Sequence, residues 1–409
     1  MQRKRACFSP LICQKARVSR FLAFIAVALG VLGGIHYYIW ARLIRDPRWT
    51  APWGAAGGTL LALLALSVPA SLILAHRSNE TARPLVWLGY VWLGVMFLLF
   101  TALITTDIVR LAALPFRQSA AAVDGDRRTF LARTVAAAVA LLVSGAAAVA
   151  VRSARGPIDV RKLRVRLARL PAAHDGFTIV QLSDVHVGAT IGRAFIEEIV
   201  GRTNALHPDL VAITGDLVDG SVADLGAAIE PLSQLQAPHG VFFVTGNHEY
   251  FSGAEAWVAE LRRLGIRVLQ NERVSIGNAT ASFDLAGIDD RSSANFGGMT
   301  PSDAMARALA DRDPTRELVL LAHQPRSWLE AKPYGIGLQL SGHTHGGQIW
   351  PFGLLVQMQQ QFVAGLYRRD NSQIYVSRGT GYWGPPMRLA APAEITEIRL
   401  ESRPGPTAS

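Results

Sequence analysis

Residues 177–186 read FTIVQLSDVH, residues 209–219 read DLVAITGDLVD, and residues 241–249 read VFFVTGNHE. In each segment a short apolar run passes directly into polar residues. Continuous apolar runs of this length, bounded by turn-forming residues, predict buried strands. Residues 192–206 and 222–235, between these strands, predict helices. The alternation predicts an α/β domain with a central sheet, in which ligand sites gather at the carboxyl ends of strands.

The same pattern continues along the rest of the chain. Before the first segment, Leu163, Val165 and Leu167 alternate with basic residues and predict a half-exposed strand. Two more helices are predicted at residues 254–264 and 301–310. Further strands are predicted at residues 266–269, 273–276, 282–288, 317–322, 337–341, 374–377 and 394–400. Residues 152–409 are therefore expected to form one α/β domain.

Side chains of metal-binding type follow five of the predicted strands. The five motifs are Ser183-Asp184-Val185-His186, Gly215-Asp216-Leu217-Val218-Asp219, Gly246-Asn247-His248-Glu249, Ala322-His323-Gln324-Pro325 and Gly342-His343-Thr344-His345-Gly346-Gly347-Gln348. Each motif alone is a weak or moderate signal, but five in order after strands make coincidence improbable. The only cysteines, Cys7 and Cys13, lie far away near the N-terminus. Any metal in the domain must therefore be held by His, Asp, Asn or Glu.

These residue types suit a pair of metal ions. Two divalent ions about 3.5–4 Å apart need a bridging carboxylate and separate donors for each ion. Asp216 suits the bridge, because its two oxygens can face different ions. In an extended loop, Asp184 and His186 would lie on the same side, and His343 and His345 repeat that spacing. Mixed imidazole and carboxylate donors favour Mn, Fe or Zn over a site for Mg or Ca alone.

The order and spacing of the five motifs resemble the calcineurin-like metallophosphoesterases, from about Phe177 to the end of the chain. The resemblance implies a four-layer αββα sandwich that cleaves a phosphoester or pyrophosphate bond through a hydroxide bridging two metal ions. It implies that one ion is bound by Asp184, His186, Asp216 and His345, and the other by Asp216, Asn247, His323 and His343. It also implies that His248 is catalytic, protonating the leaving oxygen or stabilising charge on the phosphoryl group. Asp219 and Glu249 are expected to support the ligands or the local fold.

Other sequences resemble the bacterial membrane-associated branch of this family. They are Gly346-Gly347-Gln348 followed by Pro351, and residues 379–386, which read GTGYWGPP. That branch includes pyrophosphatases acting on UDP-2,3-diacylglucosamine and enzymes acting on phospholipids. A phosphorylated substrate that is lipid-linked or embedded in the membrane is expected, because membrane anchoring would hold the site near such molecules. Two roles are open for Arg378 and Arg388, a clamp on substrate phosphate or a surface salt bridge.

Four apolar runs precede the domain. They are Phe21–Trp40, Trp53–Ala75, Leu85–Ile108 and Thr134–Val151, and the last is Ala-rich and only marginally hydrophobic. The first three are long enough to cross about 30 Å of hydrocarbon as helices, and they lack the polar face of a buried core helix. We therefore predict a transmembrane region at residues 1–151 and a catalytic domain at residues 152–409. The protein is expected to be a multi-pass integral protein of a bacterial cytoplasmic membrane.

The basic residues favour a membrane role over nucleic-acid binding. The formal net charge is +10, but much of it flanks the apolar runs, as membrane orientation requires. The N-terminal tail alone contributes Arg3, Lys4, Arg5, Lys15, Arg17 and Arg20. No basic stripe with interleaved aromatic residues is present in the sequence, so no nucleic-acid partner is expected.

Two orientation signals disagree. A basic tail favours a cytoplasmic N-terminus, and four spans would then leave the catalytic domain in the cytoplasm. Residues 126–131, DRRTFL, resemble a twin-arginine export signal, although a plain juxtamembrane arginine pair is the alternative. The prediction leans towards an extracytoplasmic domain.

Two other functions are compatible with the sequence. The first is a transporter or sensor with a regulatory, non-catalytic metal-binding domain, which ionisable residues within the spans would favour. His36 and Asp107, both near span ends, are the candidates for that role. The second is a catalytically inactive binding module, which would be marked by a missing ligand. All seven expected ligands are present together with His248.

Overall fold

A computed structural model describes residues 10–75, 80–113, 115, 125–369 and 372–402, except for the side chains of residues 10–21 and 80. The two cysteines and the six basic residues of the N-terminal tail therefore lie outside the described side chains. The chain forms two compact units, one of Met1–Ser71 with Trp92–Gly145 and one of Leu72–Val91 with Ala146–Ser409. The domain boundary at residue 151 stays a prediction.

Four long helices precede the α/β domain. They are α1 (Pro10–Trp40), α2 (Trp53–Ala75), α3 (Arg83–Ala112) and α4 (Gly125–Arg155). All four contain stretches long and apolar enough to cross a membrane. The fourth contains the most hydrophobic stretch of the four, so the expectation that residues 134–151 are only marginally hydrophobic was wrong. The reason is that no charged residue interrupts the chain between Arg133 and Arg152.

In the first unit, both ionisable residues singled out in the spans have hydrogen-bond partners. The indole Nε1 of Trp92 donates to Nε2 of His36 at 3.0 Å. Asp107 accepts from the hydroxyl of Tyr38 at 2.6 Å and from Arg42 at 2.7 Å. Polar groups removed from water need such partners. These contacts give His36 and Asp107 a structural role in joining helices.

The second unit carries two six-stranded sheets. The strands are β1 (Asp159–Leu167), β2 (Thr178–Leu182), β3 (Leu210–Ile213), β4 (Val241–Phe243), β5 (Arg267–Val268), β6 (Glu272–Gly277), β7 (Ser282–Gly287), β8 (Leu318–Leu321), β9 (Leu338–Ser341), β10 (Gly365–Arg369), β11 (Ser372–Val376) and β12 (Glu394–Ser402). The helices are α5 (Arg193–Asn204), α6 (Val222–Ile229), α7 (Asn247–Ser252), α8 (Ala254–Arg263), α9 (Pro301–Ala308), α10 (Trp328–Ala331) and α11 (Phe352–Gln359).

The strand order brings the motif-bearing strands to the middle of the sheets. The first sheet has the order β1-β12-β2-β3-β4-β5, and β2 to β5 run parallel. The second sheet has the order β10-β11-β9-β8-β7-β6, and its four central strands run parallel. The carboxyl ends of parallel neighbours meet at one edge of a sheet, which is where ligand sites form.

Three clusters of buried apolar residues hold together the four layers of the domain, which are two sheets and a layer of helices on the outer face of each. Ile179 of β2 packs into a cluster between the sheets that also holds Phe283 and Leu340 from the second sheet. The next residue, Val180, points to the opposite face, where the first sheet is covered by α5 and α8. A third cluster joins the second sheet to α9 and α10. The four-layer αββα fold is thereby confirmed, and each fully buried Ile or Leu contributes about 1.5–3 kcal/mol.

One predicted helix is shorter than expected. Residues 222–235 were predicted as a single helix, but α6 ends at Ile229 and residues 230–234 form a 3-10 turn. Pro231 explains the difference, since its ring removes one N–H and clashes with the preceding helical turn. The start is well defined, because the Ser221 hydroxyl accepts the backbone N–H of Asp224 at 3.3 Å.

Candidate metal centre

The five motifs come together where the two sheets end. Asp184, Asp216 and Asn247 follow β2, β3 and β4 of the first sheet, while His323 and His343 follow β8 and β9 of the second. Backbone hydrogen bonds hold neighbouring loops in register, with Asp184 N donating to Gly215 O at 3.0 Å and Gly342 N to His323 O at 2.9 Å. The centre is therefore built on strand ends of both sheets.

One group of side chains consists of Asp184, His186 and His345, whose ligand atoms all lie within 4.8 Å of one another. Nε2 of His186 is 3.1 Å from Nε2 of His345, which in turn is 3.7 Å from Oδ1 of Asp184. Nitrogen atoms about 2.0–2.1 Å from one ion would lie at such separations. The geometry fits a shared ion.

A second group consists of Asp216, His323 and His343, also with ligand atoms within 4.8 Å of one another. Nε2 of His323 is 3.0 Å from Oδ2 of Asp216 and 3.2 Å from Nδ1 of His343. Nδ1 of His323 is 2.8 Å from the carbonyl oxygen of Thr214, to which it donates. That hydrogen bond leaves the Nε2 lone pair free for a metal.

A single oxygen of Asp216 lies close to histidines of both ligand groups. Its Oδ2 is 3.0 Å from Nε2 of His323 and 3.9 Å from Nε2 of His186. Its Oδ1 accepts the backbone N–H of His248 at 2.8 Å. The expectation that the two oxygens of Asp216 would face different ions is therefore wrong for this structure, because one of them is engaged by the backbone.

Two buried oxygens at the centre have no hydrogen-bond partner among the described residues. They are Oδ2 of Asp184 and Oδ1 of Asn247. An unpaired buried oxygen is costly, on the order of 1–3 kcal/mol, unless a ligand satisfies it. Both residues are among the predicted ligands, so these orphaned atoms fit a metal that completes the site.

The loops are not extended as the sequence suggested. Asp184 and His186 have φ angles of 52° and 56°, and His343 and His345 have 70° and 51°. Asp216 shares this left-handed conformation with φ 52°. Non-glycine residues in this region cost roughly 1–2 kcal/mol each, and such strain concentrates at functional sites.

Two glycines allow the close approach of the ligand loops. A Cβ at Gly246 would lie 2.2 Å from Oδ1 of Asp216, and one at Gly342 would lie 2.2 Å from Oδ2 of Asp184. Each motif glycine is thus required because a carboxylate oxygen occupies the space of its missing side chain.

Electrostatics favour a cation at the centre. Burial opposes protonation of His323, but the carboxylates of Asp216 and Asp184 outweigh it and raise the pKa of His323 well above its ordinary value. Burial, followed by the charge of His323, lowers the pKa of His343 to about 3. His343 is therefore neutral at neutral pH, the form in which imidazole binds metal.

Asp219 links a predicted ligand to the predicted catalytic residue. It accepts from Nδ1 of His248 at 2.6 Å and lies 3.1 Å from Nδ1 of His186. These three side chains also lie close enough to hold an ion. We favour an orienting carboxylate instead, because hydrogen bonding to Asp219 leaves Nε2 of His186 facing His345. Burial opposes protonation of His248, but Asp219 and then Asp216 outweigh it and raise the pKa of His248 to about 9.

Glu249 holds two ligand loops together. Its buried carboxylate accepts the backbone N–H groups of Gly246 at 2.5 Å, Asp216 at 3.0 Å and Leu217 at 2.7 Å. Burial, followed by the charge of Asp216, raises the pKa of Glu249 to about 7. The sequence expectation of a supporting role for Glu249 matches these contacts.

The structure contradicts both roles considered for Arg388, a clamp on substrate phosphate and a surface salt bridge. Its side chain is fully buried and is neither a surface ion pair nor within reach of a substrate. Its guanidinium donates to backbone carbonyls of Gly381, Arg378 and Ala391, two of them at 2.8 Å and one at 2.9 Å. Arg378 is paired with Glu394 at 3.4 Å. No sequence signal distinguished the buried Arg388 from the half-buried Arg378.

This chain is similar in sequence to known metallophosphoesterases. Residues 177–347 match the model of the calcineurin-like phosphoesterase family. A cattle (Bos taurus) protein described as "Transmembrane protein with metallophosphoesterase domain" is 35% identical over 406 residues, covering 94% of this chain and 89% of the relative. Its zebrafish (Danio rerio) counterpart is 34% identical and covers 93% and 89%. An uncharacterized metallophosphoesterase of Helicobacter pylori is 41% identical over 224 residues, or 54% of this chain and 59% of the relative.

These relatives agree with the fold and the site. Two of them are similar over almost the whole chain, and both are described as transmembrane proteins. The family model covers all seven predicted ligands and His248. This chain belongs to the calcineurin-like metallophosphoesterase family.

Proposed function

We propose that this protein is a metal-dependent phosphoesterase with two metal ions at the centre described above. The observation that carries the proposal is the position of Asp216, whose Oδ2 lies between His323 of one ligand group and His186 of the other, at 3.0 and 3.9 Å. Two-metal phosphoesterases need a carboxylate shared in this way. The reaction class is hydrolysis of a phosphoester or a pyrophosphate.

Each ion has its own ligands in this proposal. One is held by Asp184, His186, Asp216 and His345, and the other by Asp216, Asn247, His323 and His343. When bound, the ions would supply Lewis acidity that activates water and neutralises charge on phosphoryl oxygens. The mixed nitrogen and oxygen donors favour Mn, Fe or Zn.

His248 would protonate the leaving oxygen. Its Nδ1 is held by Asp219 at 2.6 Å, so its other nitrogen is free to donate to a substrate. The side chain is 17% exposed, and a pKa of about 9 keeps it protonated at neutral pH. A positioned acid of this kind typically contributes about 10²–10⁴-fold in rate.

We propose that the substrate is lipid-linked. The domain is attached directly to helices that can span a membrane, and two exposed aromatic rings, Phe251 and Trp383, lie 5.8 and 5.6 Å from the His248 ring. The glycine-rich residues 379–386 resemble those of membrane-associated members of the family. A phospholipid and a UDP-diacylglucosamine-type pyrophosphate are the two substrates to test first.

We also propose that the catalytic domain lies outside the cytoplasm of a bacterial cell. The supporting observation is the Arg127-Arg128 pair, which is exposed at the start of α4, where a twin-arginine receptor could read it.

The function is tested with the full chain purified in detergent. Metal-stripped protein would be reloaded with Mn, Fe or Zn and offered 4-nitrophenyl phosphate, bis(4-nitrophenyl) phosphate, a phospholipid and a UDP-diacylglucosamine-type pyrophosphate. Hydrolysis should require metal and should disappear in Asp184→Asn, with Asp175→Asn as a control at a distant surface. A metal-loaded, folded protein that cleaves none of these substrates would contradict the proposal.

A further inference from the structure

Helix α11 carries an apolar surface next to the metal centre. None of the eight residues of α11 is buried, and Trp350, Leu354 and Met358 are 62%, 61% and 85% exposed. No charged residue occurs between His345 and Arg368. The α11 surface consists of Trp350, Phe352, Leu354, Leu355 and Met358. Clustered, exposed, large apolar side chains mark an interaction site.

The α11 surface is fixed to the turn that carries His345. A Cβ at Gly347 would lie 2.4 Å from the Cα of Gly353, so the start of α11 rests against the backbone of this turn. Beyond the helix, the hydroxyl of Thr344 donates to the carbonyl of Val363 at 2.5 Å. The segment is therefore anchored near the metal centre on both sides of α11.

Trp383 extends the apolar surface to the mouth of the centre. Its backbone N–H donates to the side chain of Gln348 at 3.0 Å, and Gln348 donates back to its carbonyl at 2.9 Å. Its ring is 54% exposed and lies 5.6 Å from that of His248. The apolar residues and the predicted catalytic residue thus face the same region.

The same region is joined to the end of a membrane-spanning helix. The last turns of α4 belong to the same compact unit as the domain, and the carbonyl of Ala150 accepts the N–H of Arg388 at 2.9 Å. The neighbouring Leu389 accepts the N–H of Trp350 at 3.1 Å. Trp350 is therefore connected to α4 through two backbone hydrogen bonds, by way of the neighbouring residues Arg388 and Leu389.

Residues of the interfacial type lie at this end of the spans. The guanidinium of Arg155, in the last turn of α4, stacks over the ring of Trp87 of α3 at 5.4 Å. Arg83, at the start of α3, donates to the carbonyl of Ala189 at 3.2 Å. Paired tryptophan and arginine side chains are typical of the boundary between hydrocarbon and water.

We propose that the α11 surface docks onto the lipid bilayer, with Trp350 and the α11 side chains inserted among the headgroups. An uncharged apolar surface that continues towards the ends of two spans suits a lipid surface, because burial of apolar side chains at the boundary drives such binding. This docking does not depend on hydrolysis. With the lipid-linked substrate proposed above, docking would hold the metal centre close to the phosphate of that substrate.

The test uses the full chain with Cys7→Ser and Cys13→Ser. One variant adds Met358→Cys and the matched control adds Thr280→Cys, which lies on an exposed turn between β6 and β7 at the opposite end of its sheet. Each cysteine carries a polarity-sensitive fluorophore. The proteins are reconstituted into vesicles of phosphatidylcholine and phosphatidylglycerol with and without brominated acyl chains.

Brominated lipid should quench the fluorophore at position 358 several-fold more than the one at position 280. Adding Leu354→Gln and Leu355→Gln should reduce that quenching while leaving the melting temperature unchanged. Equal quenching at the two positions would overturn the proposal. The proposal would also be overturned if quenching at position 358 depended on the number of protein molecules per vesicle and not on bromination of the lipid. That result would mean that a second copy of the chain covers the α11 surface.

Discussion

The guanidinium of Arg388 lies against His345, with Nη2 of Arg388 3.3 Å from Nδ1 of His345 and Nη1 3.3 Å from its carbonyl oxygen. Arg388 is fully buried, and its other donors hold carbonyls of the surrounding loop. It therefore positions a predicted metal ligand without reaching the substrate.

Replacing Arg388 should disturb both the loop and the metal centre. Arg388→Lys retains the charge but cannot serve several carbonyls with one ammonium, and the free energy of unfolding should fall by about 2–4 kcal/mol. Metal affinity should fall as well. Thermal melting and metal titration measure the two effects. Arg378→Lys is the control, because its one ion pair, with Glu394 at 3.4 Å, can be kept by a lysine ammonium. Equal losses in both variants would contradict this role.

Removing the imidazole of His248 should slow turnover and leave the metals bound. We expect His248→Ala to lower kcat for alkyl phosphoesters by about 10²–10⁴-fold. The loss should be smaller for 4-nitrophenyl esters, whose leaving group needs little protonation. Steady-state kinetics with both ester types and metal analysis check this expectation. Loss of a metal from His248→Ala would show that the residue is a ligand and not an acid.

Asp219 should set the alkaline limit of activity. The pKa of His248 is raised to about 9. The imidazole is therefore protonated at neutral pH, and this proton donor is lost as the pH rises through about 9. Asp219→Asn removes the 2.6 Å partner and should move that limit towards neutrality. Because Asp219 also orients His186, metal affinity should fall by about 10–100-fold. An unchanged pH–rate profile at saturating metal would contradict the pairing.

The side of the membrane is tested by reporter fusions. If all four helices cross the membrane, the N-terminus and the catalytic domain lie on the same side, so reporters are needed at the N-terminus and after Leu170. We expect export-dependent reporters to be active at both sites, and the reporter after Leu170 to fall silent after Arg127→Lys with Arg128→Lys. Arg152→Lys, near the other end of α4, serves as the control. Activity confined to cytoplasmic reporters would refute the extracytoplasmic proposal.

The sequence predicted most of the central strands because their signal is local. Residues 178–182 and 338–341 are mostly apolar runs, each with a single glutamine, and the observed strands begin within one residue of the predicted starts. The second helix, Trp53–Ala75, matches its predicted bounds. The ends of an apolar run can be predicted when turn-forming or charged residues bound it. The ends of short segments that depend on tertiary contacts cannot be predicted in this way.

Other features required the three-dimensional fold. Helix α11 has no buried face, so it lacks the periodicity by which a helix is found, and it was not predicted. Strand β10 was missed because its pairing with β11 is long-range information that its mostly half-buried residues do not signal. The left-handed conformation of Asp184 and His345 was also missed, since such strain is imposed by the loops around it.

The central claim is that two metal ions share Asp216, and metal content per chain tests it most directly. Full-length protein loaded with Mn or Zn and then dialysed should retain about two ions per chain. His248→Ala should retain the same number, while Asp216→Asn should lose both ions together, because the one oxygen between His186 and His323 is changed. One ion or none in the unaltered protein, or two ions retained by Asp216→Asn, would contradict the account.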